Sequence, residues 1–303
     1  MKFTIYQESR VGTRQYNQDR VAYCYSRDTL LLIVADGMGG HANGEIAAQI
    51  ATTYITTLFQ REARPHLPDP MFFLSVAIEG AHAEICAEAE RQGLAENPRT
   101  TCVVCVVQNN VAYWAHVGDS RLYLVRDGKV LAQTRDHSLV QTLVDSGSIT
   151  AEQARTHPAR NRIFSCLGGQ QEPQIDFSRK TPLRDGDILL LCTDGVWGPL
   201  ENDLCAQIAY SNVLKSVPLL LDEAEKRAGK SSDNLSIIAI NWEEDEVEEL
   251  ICYSDMPTMP MDVYTVPPEG GQQNPHAPLS DDEIEEAIEE IRNSIRQNLP
   301  IRN

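Results

Sequence analysis

The stretch LLLIVADGMGG, residues 30–40, places an aspartate directly after a run of aliphatic residues and directly before a glycine-rich turn. The stretch ILLLCTDGVWG, residues 188–198, repeats this arrangement with Asp194. Both apolar runs have the length and composition of buried strands. A carboxylate at the end of a buried strand costs free energy unless a cation compensates its charge. The two stretches therefore predict that positive charge lies beside Asp36 and Asp194.

Two further aspartates have similar surroundings. Asp119 lies between two strand-like stretches in WAHVGDSRLYL, and Asp233 precedes the last strand-like stretch in SSDNLSIIAI. A strand followed by Asp-Gly is more often a turn than a ligand, so each aspartate alone is a weak signal. Aspartates at strand ends can meet at one edge of a sheet sandwich, and an all-oxygen ligand set suits Mg²⁺ or Mn²⁺. Nearby Cys/His ligand pairs, which zinc would need, are absent from these stretches.

The composition limits the classes of partner. The chain has 303 residues, of which 42% are hydrophobic, and a formal net charge of −18. Such acidity repels nucleic acid and anionic lipid, and the sequence has no cluster of basic residues to reverse it locally. The first ten residues lack the apolar core of a secretory signal, and no run of about 18 apolar residues occurs. We therefore expect a cytoplasmic protein that binds neither nucleic acid nor membrane.

The cysteines are interpreted as core thiols. Most of the eight lie in apolar runs and not at the spacings of a disulfide framework. Cys102 and Cys105 have the spacing of half a zinc site, but strand alternation directs their side chains to opposite faces.

The order of strand-like and helical stretches predicts the fold class. Amphipathic helices are expected at 44–63, 71–93 and 216–229, with strand-like stretches before, between and after them. Hairpins next to blocks of helices, without regular strand–helix alternation, indicate an α+β fold. The expected architecture is a sandwich of two antiparallel β-sheets flanked by α-helices.

The composition changes after Trp242. We expect one domain over residues 1–243, an acidic, proline-rich linker over 244–279 and an amphipathic C-terminal helix over 280–299. Residues 244–303 hold 15 acidic residues and 3 arginines, which makes this the most acidic part of the chain. Isoleucines at helical spacing form one apolar stripe on the terminal helix. That helix is expected either to dock on its own domain or a partner, or to remain solvated without a function.

The motifs resemble those of one protein family. In chain order they are VGTRQYNQD (11–19), VADGMGGH (34–41), TTCVVCVV (100–107), HVGDSRLYLVRDGKV (116–130), TRDHSLV (134–140), LLLCTDGVW (189–197) and SSDNLSIIAI (231–240). This set resembles the metal-dependent serine/threonine protein phosphatases of the type 2C, or PPM, family in their bacterial form. The resemblance covers roughly residues 1–243 and implies the sandwich fold predicted above.

The resemblance implies a set of metal ligands. Asp36 would bridge two Mn²⁺ or Mg²⁺ ions, and the carbonyl of Gly37 would bind the first of them. Asp194 and Asp233 would bind the second ion. Asp119, together with Asp194, matches a weaker third metal site.

The resemblance also implies the catalytic roles, which fall to Arg14, Asp19 and Asp36. Arg14 would bind the substrate phosphate, because its planar guanidinium suits two phosphate oxygens. Asp19 would hold waters and ligands in place. A water molecule activated by the two metal ions would attack phosphorus in line, without a protein nucleophile.

The sequence departs from the family pattern near these residues. Met38 stands where many eukaryotic members have a histidine proposed as the general acid. The motif therefore does not identify the residue that donates a proton to the leaving group. His41 and His137 are candidates by their place in the motifs, but the pattern favours a structural role for each of them. Gln18 replaces a common glutamate that holds metal-bound water. Residues 156–169 fall where the family has a mobile flap beside the active site.

The expected activity is hydrolysis of phosphoserine and phosphothreonine on proteins, with phosphorylated proteins and a cognate Ser/Thr kinase as partners. One alternative is a degenerate phosphatase fold that only binds a signalling partner; the presence of all four aspartates and Arg14 argues against it. The other alternative is a metal-dependent nuclease or phosphodiesterase. The acidic composition of the chain argues against a nucleic acid substrate.

Overall fold

A computed structural model of the chain describes residues 1–38, 43–200, 203–204 and 212–243. The predicted linker (244–279) and C-terminal helix (280–299) lie outside the described residues, as does His41. Within the described ranges, the helices are too short or too polar to cross a membrane.

The strands account for the apolar runs of the sequence. In chain order they are β1 (Lys2–Arg10), β2 (Arg20–Tyr25), β3 (Thr29–Ala35), β4 (Gly37–Met38), β5 (Arg99–Thr100), β6 (Cys102–Gln108), β7 (Val111–Val117), β8 (Arg121–Arg126), β9 (Lys129–Gln133), β10 (Asp176–Phe177), β11 (Thr181–Pro182), β12 (Ile188–Cys192) and β13 (Leu235–Glu243).

The described helices lie in three of the intervals between strands, namely β4–β5, β9–β10 and β12–β13. They are α1 (Gly44–Glu62), α2 (Pro70–Gln92), α3 (Leu139–Asp145), α4 (Ala151–Arg155), α5 (Asp194–Leu200) and α6 (Val213–Ala228). The three predicted helices correspond to α1, α2 and α6. The last begins at Val213, three residues before the predicted start, because the Asn212 side chain accepts a hydrogen bond from the Leu214 amide and caps it.

Two antiparallel sheets form the centre of the fold. One has the strand order β1-β13-β12-β8-β9, and the other has β10-β7-β6-β3-β2, with β11 also paired to β7. The α+β sandwich predicted from the sequence is therefore confirmed, and its helices cover the outer faces of both sheets.

The central strands are buried on both faces, which explains their continuous apolar runs. In β3, Leu30, Leu32 and Val34 lie in the core between the sheets. Their neighbours Leu31 and Ile33 face α1 and α2 instead.

The same alternation separates the two cysteines of β6. Cys102 lies in the core under the helices, and Cys105 lies in the core between the sheets. Their opposite directions confirm the argument made against a shared zinc site.

The sequence patterns did not predict β1. This strand pairs with β13 from Lys2 to Arg10, but its residues are mostly half-buried and many are polar. A continuous apolar pattern is absent because β1 lies at the edge of its sheet.

Candidate active site

The four predicted ligand aspartates converge on one cavity of about 740 Å³. Asp36 follows β3, Asp119 joins β7 to β8, Asp194 follows β12, and Asp233 precedes β13. These strands are central or near-central in their sheets. The fold therefore brings together, at one edge of the sandwich, carboxylates up to 197 positions apart in the chain. Gly37 and Arg14 also line the cavity.

Threonine side chains and backbone fix the strand end at Asp36. The Asp36 amide donates to Thr101 Oγ1 at 3.0 Å, and the Thr101 amide donates to the Asp36 carbonyl at 2.9 Å. Thr100 Oγ1 donates to the same carbonyl at 2.9 Å. The Gly37 amide donates to the Gln18 carbonyl at 3.2 Å, which ties the turn to the neighbouring loop. The backbone around Asp36 is thus held from two sides.

Asp19 lies behind the cavity and does not line it. Its side chain is buried and accepts a hydrogen bond from Thr193 Oγ1 at 2.9 Å. Thr193 directly precedes Asp194, and its Oγ1 also accepts from the Ser236 amide at 3.0 Å. Asp19 therefore contacts the segment that carries Asp194, as expected of a residue that orients ligands.

Arg14 is the predicted phosphate-binding residue, and its side chain is 61% exposed at the cavity. Its Nη2 donates to Asp233 Oδ2 at 2.7 Å. Gly12 makes this approach possible, because its φ is +60° and a Cβ there would lie 2.0 Å from the Asp233 carbonyl oxygen. The arginine is thereby held next to the carboxylates at the wall of the cavity.

Asn234 is a structural residue of the site that the sequence patterns did not identify. Its Nδ2 donates to the carbonyls of Val11 and Tyr16 at 2.9 and 3.0 Å. Its Oδ1 accepts from the Gln18 amide at 2.8 Å. One side chain thus holds the loop that carries Arg14. The only available signal was that Asn234 follows a predicted ligand, Asp233, and this does not reveal its partners.

Burial and mutual repulsion raise the pKa values of the buried carboxyls. Burial is the larger cause for Asp36, with Asp19 and Asp194 adding to it, and the pKa lies well above its ordinary range. The pKa of Asp119 is raised well above its ordinary range by burial and then by Asp194.

Two more carboxyls titrate near neutral pH. Burial and then Asp233 raise the pKa of Asp194 to about 6, although a hydrogen bond with Asp36 favours its charged form. Burial raises the pKa of Asp19 to about 7, although hydrogen bonds from Ser236 and Thr193 oppose the shift. These carboxyls therefore keep their protons at pH values at which an exposed aspartate is already ionised.

The donor set fits divalent cations. Carboxylate oxygens and a backbone carbonyl are the ligands that Mg²⁺ and Mn²⁺ prefer. Four aspartates and Glu45 share one cavity with Arg14, so their excess negative charge would be compensated by two dications. The raised pKa values of Asp36, Asp119 and Asp194 are consistent with this deficit of positive charge.

The structure does not bring His137 to the cavity. Its ring is buried, and its Nδ1 accepts a hydrogen bond from the Gly118 amide at 3.2 Å. Met38 and Gln18 do line the cavity. The cavity wall also includes Asn161 and Ile163 from the predicted flap.

A second group of side chains with possible metal-ligand atoms is formed by residues that do not line the cavity. His116, His137 and Asp176 have ligand atoms within 4.8 Å of one another. Metal-bound histidines usually donate their other ring N–H to a hydrogen-bond acceptor. His116 fits this pattern, because its Nε2 lies 2.7 Å from the Arg135 carbonyl. His137 does not fit, since its Nδ1 is an acceptor and the neutral ring must then carry its proton on Nε2. The arrangement indicates a stacked pair of histidines, with ring centroids 4.8 Å apart, in which each ring is hydrogen-bonded to the backbone.

Comparison with known proteins identifies several relatives. The family described as Protein phosphatase 2C matches residues 7–232. The serine/threonine protein phosphatase PstP of Mycobacterium tuberculosis is 35% identical over 74% of this chain and 42% of its own length. The protein phosphatase PhpP of Streptococcus pneumoniae is 32% identical over 78% of this chain and 95% of its own length.

The solved structures agree with these matches. A crystal structure of the PstP catalytic domain in complex with two manganese ions has a TM-score of 0.68 and 32% identity. The match covers 80% of this chain and 99% of that domain. The chain thus spans less than half the length of the full mycobacterial relative, and it matches nearly all of the relative's catalytic domain.

The raised carboxyl pKa values predict how the stability of the metal-free protein depends on pH. An unfolded aspartate loses its proton near pH 3.9, about two to three pH units below folded Asp194 and Asp19. The folded state therefore binds more protons, and the resulting stability is complete below about pH 4 and is lost as the pH rises through about 6 to 7. We expect the Tm of protein in excess chelator to fall between about pH 5 and about pH 8.

Scanning calorimetry with chelator and with Mn²⁺ checks this expectation. Mn²⁺ should raise the Tm more at the higher pH, because fewer protons then compete for the carboxylates. Asp194→Asn should show a shallower decline, since it removes one of the titrating groups. A Tm of the chelated protein that stays level or rises over this range would contradict the proposed charge state of the cluster.

Proposed function

The chain belongs to the protein phosphatase 2C family, and we propose that it hydrolyses phosphoserine and phosphothreonine on proteins with the help of divalent metal ions. The observation that carries the proposal is the convergence of Asp36, Asp119, Asp194 and Asp233 with Arg14 on one cavity. The four aspartates lie at the ends of strands from both sheets. The relatives PstP and PhpP are named protein phosphatases, which supports the same activity here.

We propose that Asp36, the carbonyl of Gly37, Asp194 and Asp233 hold two Mn²⁺ or Mg²⁺ ions. The two manganese ions of the PstP catalytic domain support this number. Asp119, with Asp194, would contribute to a weaker third site. When bound, such ions lower the pKa of a water molecule, so that it can lose a proton and act as the nucleophile at neutral pH.

Arg14 would bind the phosphate and offset charge that develops on its oxygens. Its guanidinium is exposed at the cavity and lies 2.7 Å from Asp233, so a phosphate there would be close to the carboxylates as well. A planar guanidinium can donate two parallel hydrogen bonds to a phosphate, which orients the phosphorus for attack. Such donors are most effective when they are already in place before the reaction.

Asp19 would act through the residues that it holds. Its bond from Thr193 Oγ1 orients the segment leading into Asp194. Because Asp19 is buried and does not line the cavity, it would contact neither the phosphate nor the attacking water directly. Its expected effect is on the geometry of Asp194.

Phosphorylated proteins would be the substrates, and a Ser/Thr kinase that produces them would be the functional partner. The cavity wall includes the exposed side chains of Arg14 and Tyr16, so it suits a phosphorylated side chain on a protein better than a buried small metabolite. The retained carboxylates and Arg14 favour catalysis over a degenerate binding scaffold. A metal-dependent nuclease is less consistent with the cavity, because among the described residues of its wall Glu45 adds to the aspartates and Arg14 is the one arginine.

Asp36→Asn and Asp194→Asn should each reduce kcat on a phosphothreonine peptide by at least about a thousandfold, because each removes charge from the proposed ligand set. Both variants should remain folded, since the substitution relieves repulsion among buried carboxyls. Steady-state kinetics with Mn²⁺ and circular dichroism check the two parts. Asp127→Asn, in the β8–β9 hairpin, is the matched control and should retain wild-type kinetics. Near wild-type turnover in either ligand variant would refute the role of that residue.

Arg14→Ala should raise KM for the phosphopeptide by roughly tenfold or more and lower kcat to a smaller extent, because the guanidinium binds phosphate. Arg14→Lys should recover only part of the loss, since an ammonium cannot make the same two-pronged contact. Mn²⁺ affinity, measured by calorimetry, should change little in both variants. A loss of Mn²⁺ binding as large as the loss of activity would assign Arg14 to the metal sites instead. Arg61→Ala, on the exposed face of α1, provides the control.

A further inference from the structure

The first turn of α1 lies directly against the turn that follows Asp36. A Cβ on Gly37 would lie 2.3 Å from the Gly44 carbonyl oxygen and 2.6 Å from the Gln18 carbonyl oxygen. A Cβ on Gly44 would in turn lie 2.7 Å from the carbonyl carbon of Gly37. Only two glycines allow the backbones to approach so closely. Helix α1 therefore begins next to the carbonyl that we propose as a metal ligand.

Glu45 follows Gly44 in this first turn, and its half-buried side chain lines the cavity. Its Oε2 accepts hydrogen bonds from Gln18 Nε2 at 3.4 Å and from the Asn43 amide at 3.3 Å. Among the described residues, its Oε1 has no hydrogen-bond partner. Protein groups thus hold one carboxylate oxygen, and the other can accept a hydrogen bond from water.

A buried arginine fixes α1 relative to the loop that carries Gln18. Arg20 Nη1 donates to the Asp19 carbonyl at 2.7 Å, and Arg20 Nε donates to Gln49 Oε1 at 2.8 Å. Gln49 lies one turn after Glu45 in α1. Because Arg20 is 6% exposed, these bonds are shielded from water. The relative position of Glu45 and Gln18 is therefore set by the fold.

The pair of Gln18 and Glu45 carries one negative charge. The family pattern has a glutamate at position 18, where it holds metal-bound water, but this chain has a neutral amide there. The Gln18 amide nitrogen can only donate, and it donates to Glu45. A glutamate at 18 paired with an amide at 45 would carry the same charge with the hydrogen bond reversed. The missing charge at 18 is thus present on its hydrogen-bond partner.

We propose that Glu45 is a positioning residue for the proposed cation at the Gly37 carbonyl, and that it supplies the negative charge that position 18 lacks. It would accept a hydrogen bond from a water molecule bound to that cation, and Gln18 would orient it. The inference rests on the proposed phosphatase function and deepens it. Loss of a group that holds a metal ligand in this way typically weakens metal binding by about 10- to 100-fold.

A purely structural role for Glu45 makes a different prediction. An acidic residue in the first turn stabilises a helix, and Glu45 also accepts from the Asn43 amide at the start of α1. Such a role affects folding with or without metal. Glu45→Gln separates the two roles, because the isosteric amide keeps an acceptor for the Asn43 and Gln18 bonds but removes the charge.

The test is a double-mutant cycle in the full chain, with Glu45→Gln, Gln18→Glu and both changes together. Calorimetric titration measures Mn²⁺ binding without turnover. Glu45→Gln should weaken one Mn²⁺ step by roughly tenfold. Gln18→Glu should restore most of that loss in the Glu45→Gln background, and it should change Mn²⁺ binding by less than about threefold in the wild type. This non-additivity is expected if either position can provide the same charge.

Glu152→Gln is the matched control, because Glu152 is also an acidic residue in the first turn of a helix, α4, and does not line the cavity. It should leave Mn²⁺ binding unchanged. Scanning calorimetry in excess chelator measures any structural effect of each substitution separately. Gln18→Leu removes the donor to Glu45 without altering α1, and it should weaken the same Mn²⁺ step by roughly threefold. If Glu45→Gln does not fold, Gln18→Leu decides the outcome.

Three results would overturn the inference. They are unchanged Mn²⁺ binding in Glu45→Gln or Gln18→Leu, equal weakening in Glu152→Gln, and a Gln18→Glu effect that is the same in both backgrounds. The wild-type chain separates these results from failure of the proposed function. If it binds Mn²⁺ and hydrolyses a phosphothreonine peptide while Glu45→Gln binds Mn²⁺ normally, only the role of Glu45 is wrong. If the wild type neither binds Mn²⁺ nor hydrolyses the peptide, both proposals are wrong.

Discussion

Mutual repulsion among buried carboxyls is the constraint on which the rest of this structure depends. Asp36, Asp119 and Asp194 lie close enough that burial and neighbouring charge raise all of their pKa values. Isolated strands ending in aspartate would separate to relieve this repulsion. The two sheets prevent that, because their central strands are buried on both faces and cannot move independently. The apolar core thus supplies the rigidity with which the polar edge is held together.

Short polar side chains turn this rigidity into defined positions. Thr101 bonds the backbone at Asp36, Thr193 joins Asp19 to the segment before Asp194, and Asn234 holds the loop that carries Arg14. None of these groups bears a charge, so they add no repulsion to the cluster. Their hydrogen bonds are buried or partly buried, where an unpaired donor would be costly. The arrangement favours one geometry of the carboxyls, which the proposed metal site requires.

Sequence patterns predicted the parts of this account that depend on composition and periodicity. Continuous apolar runs identified β3, β6 and β12, and the Asp-Gly pairs that follow β3 and β12 indicated where positive charge is needed. The edge strand β1 was not predicted, because its half-buried residues carry no continuous apolar pattern. The contacts between residues that are far apart in the chain could not be predicted either. Whether His137 would face the cavity or Gly118 depends on how a turn packs, and the local sequence TRDHSLV is compatible with both.

The most direct measurement of the central claim is hydrolysis of a phosphothreonine peptide by the full chain in Mn²⁺ and after complete chelation. If the aspartate cluster works by holding divalent cations, activity should be present with Mn²⁺, disappear on chelation and return when Mn²⁺ is restored. Activity that survives complete removal of divalent ions would contradict the account, because the cavity would then catalyse the reaction without the charge that its carboxyls require.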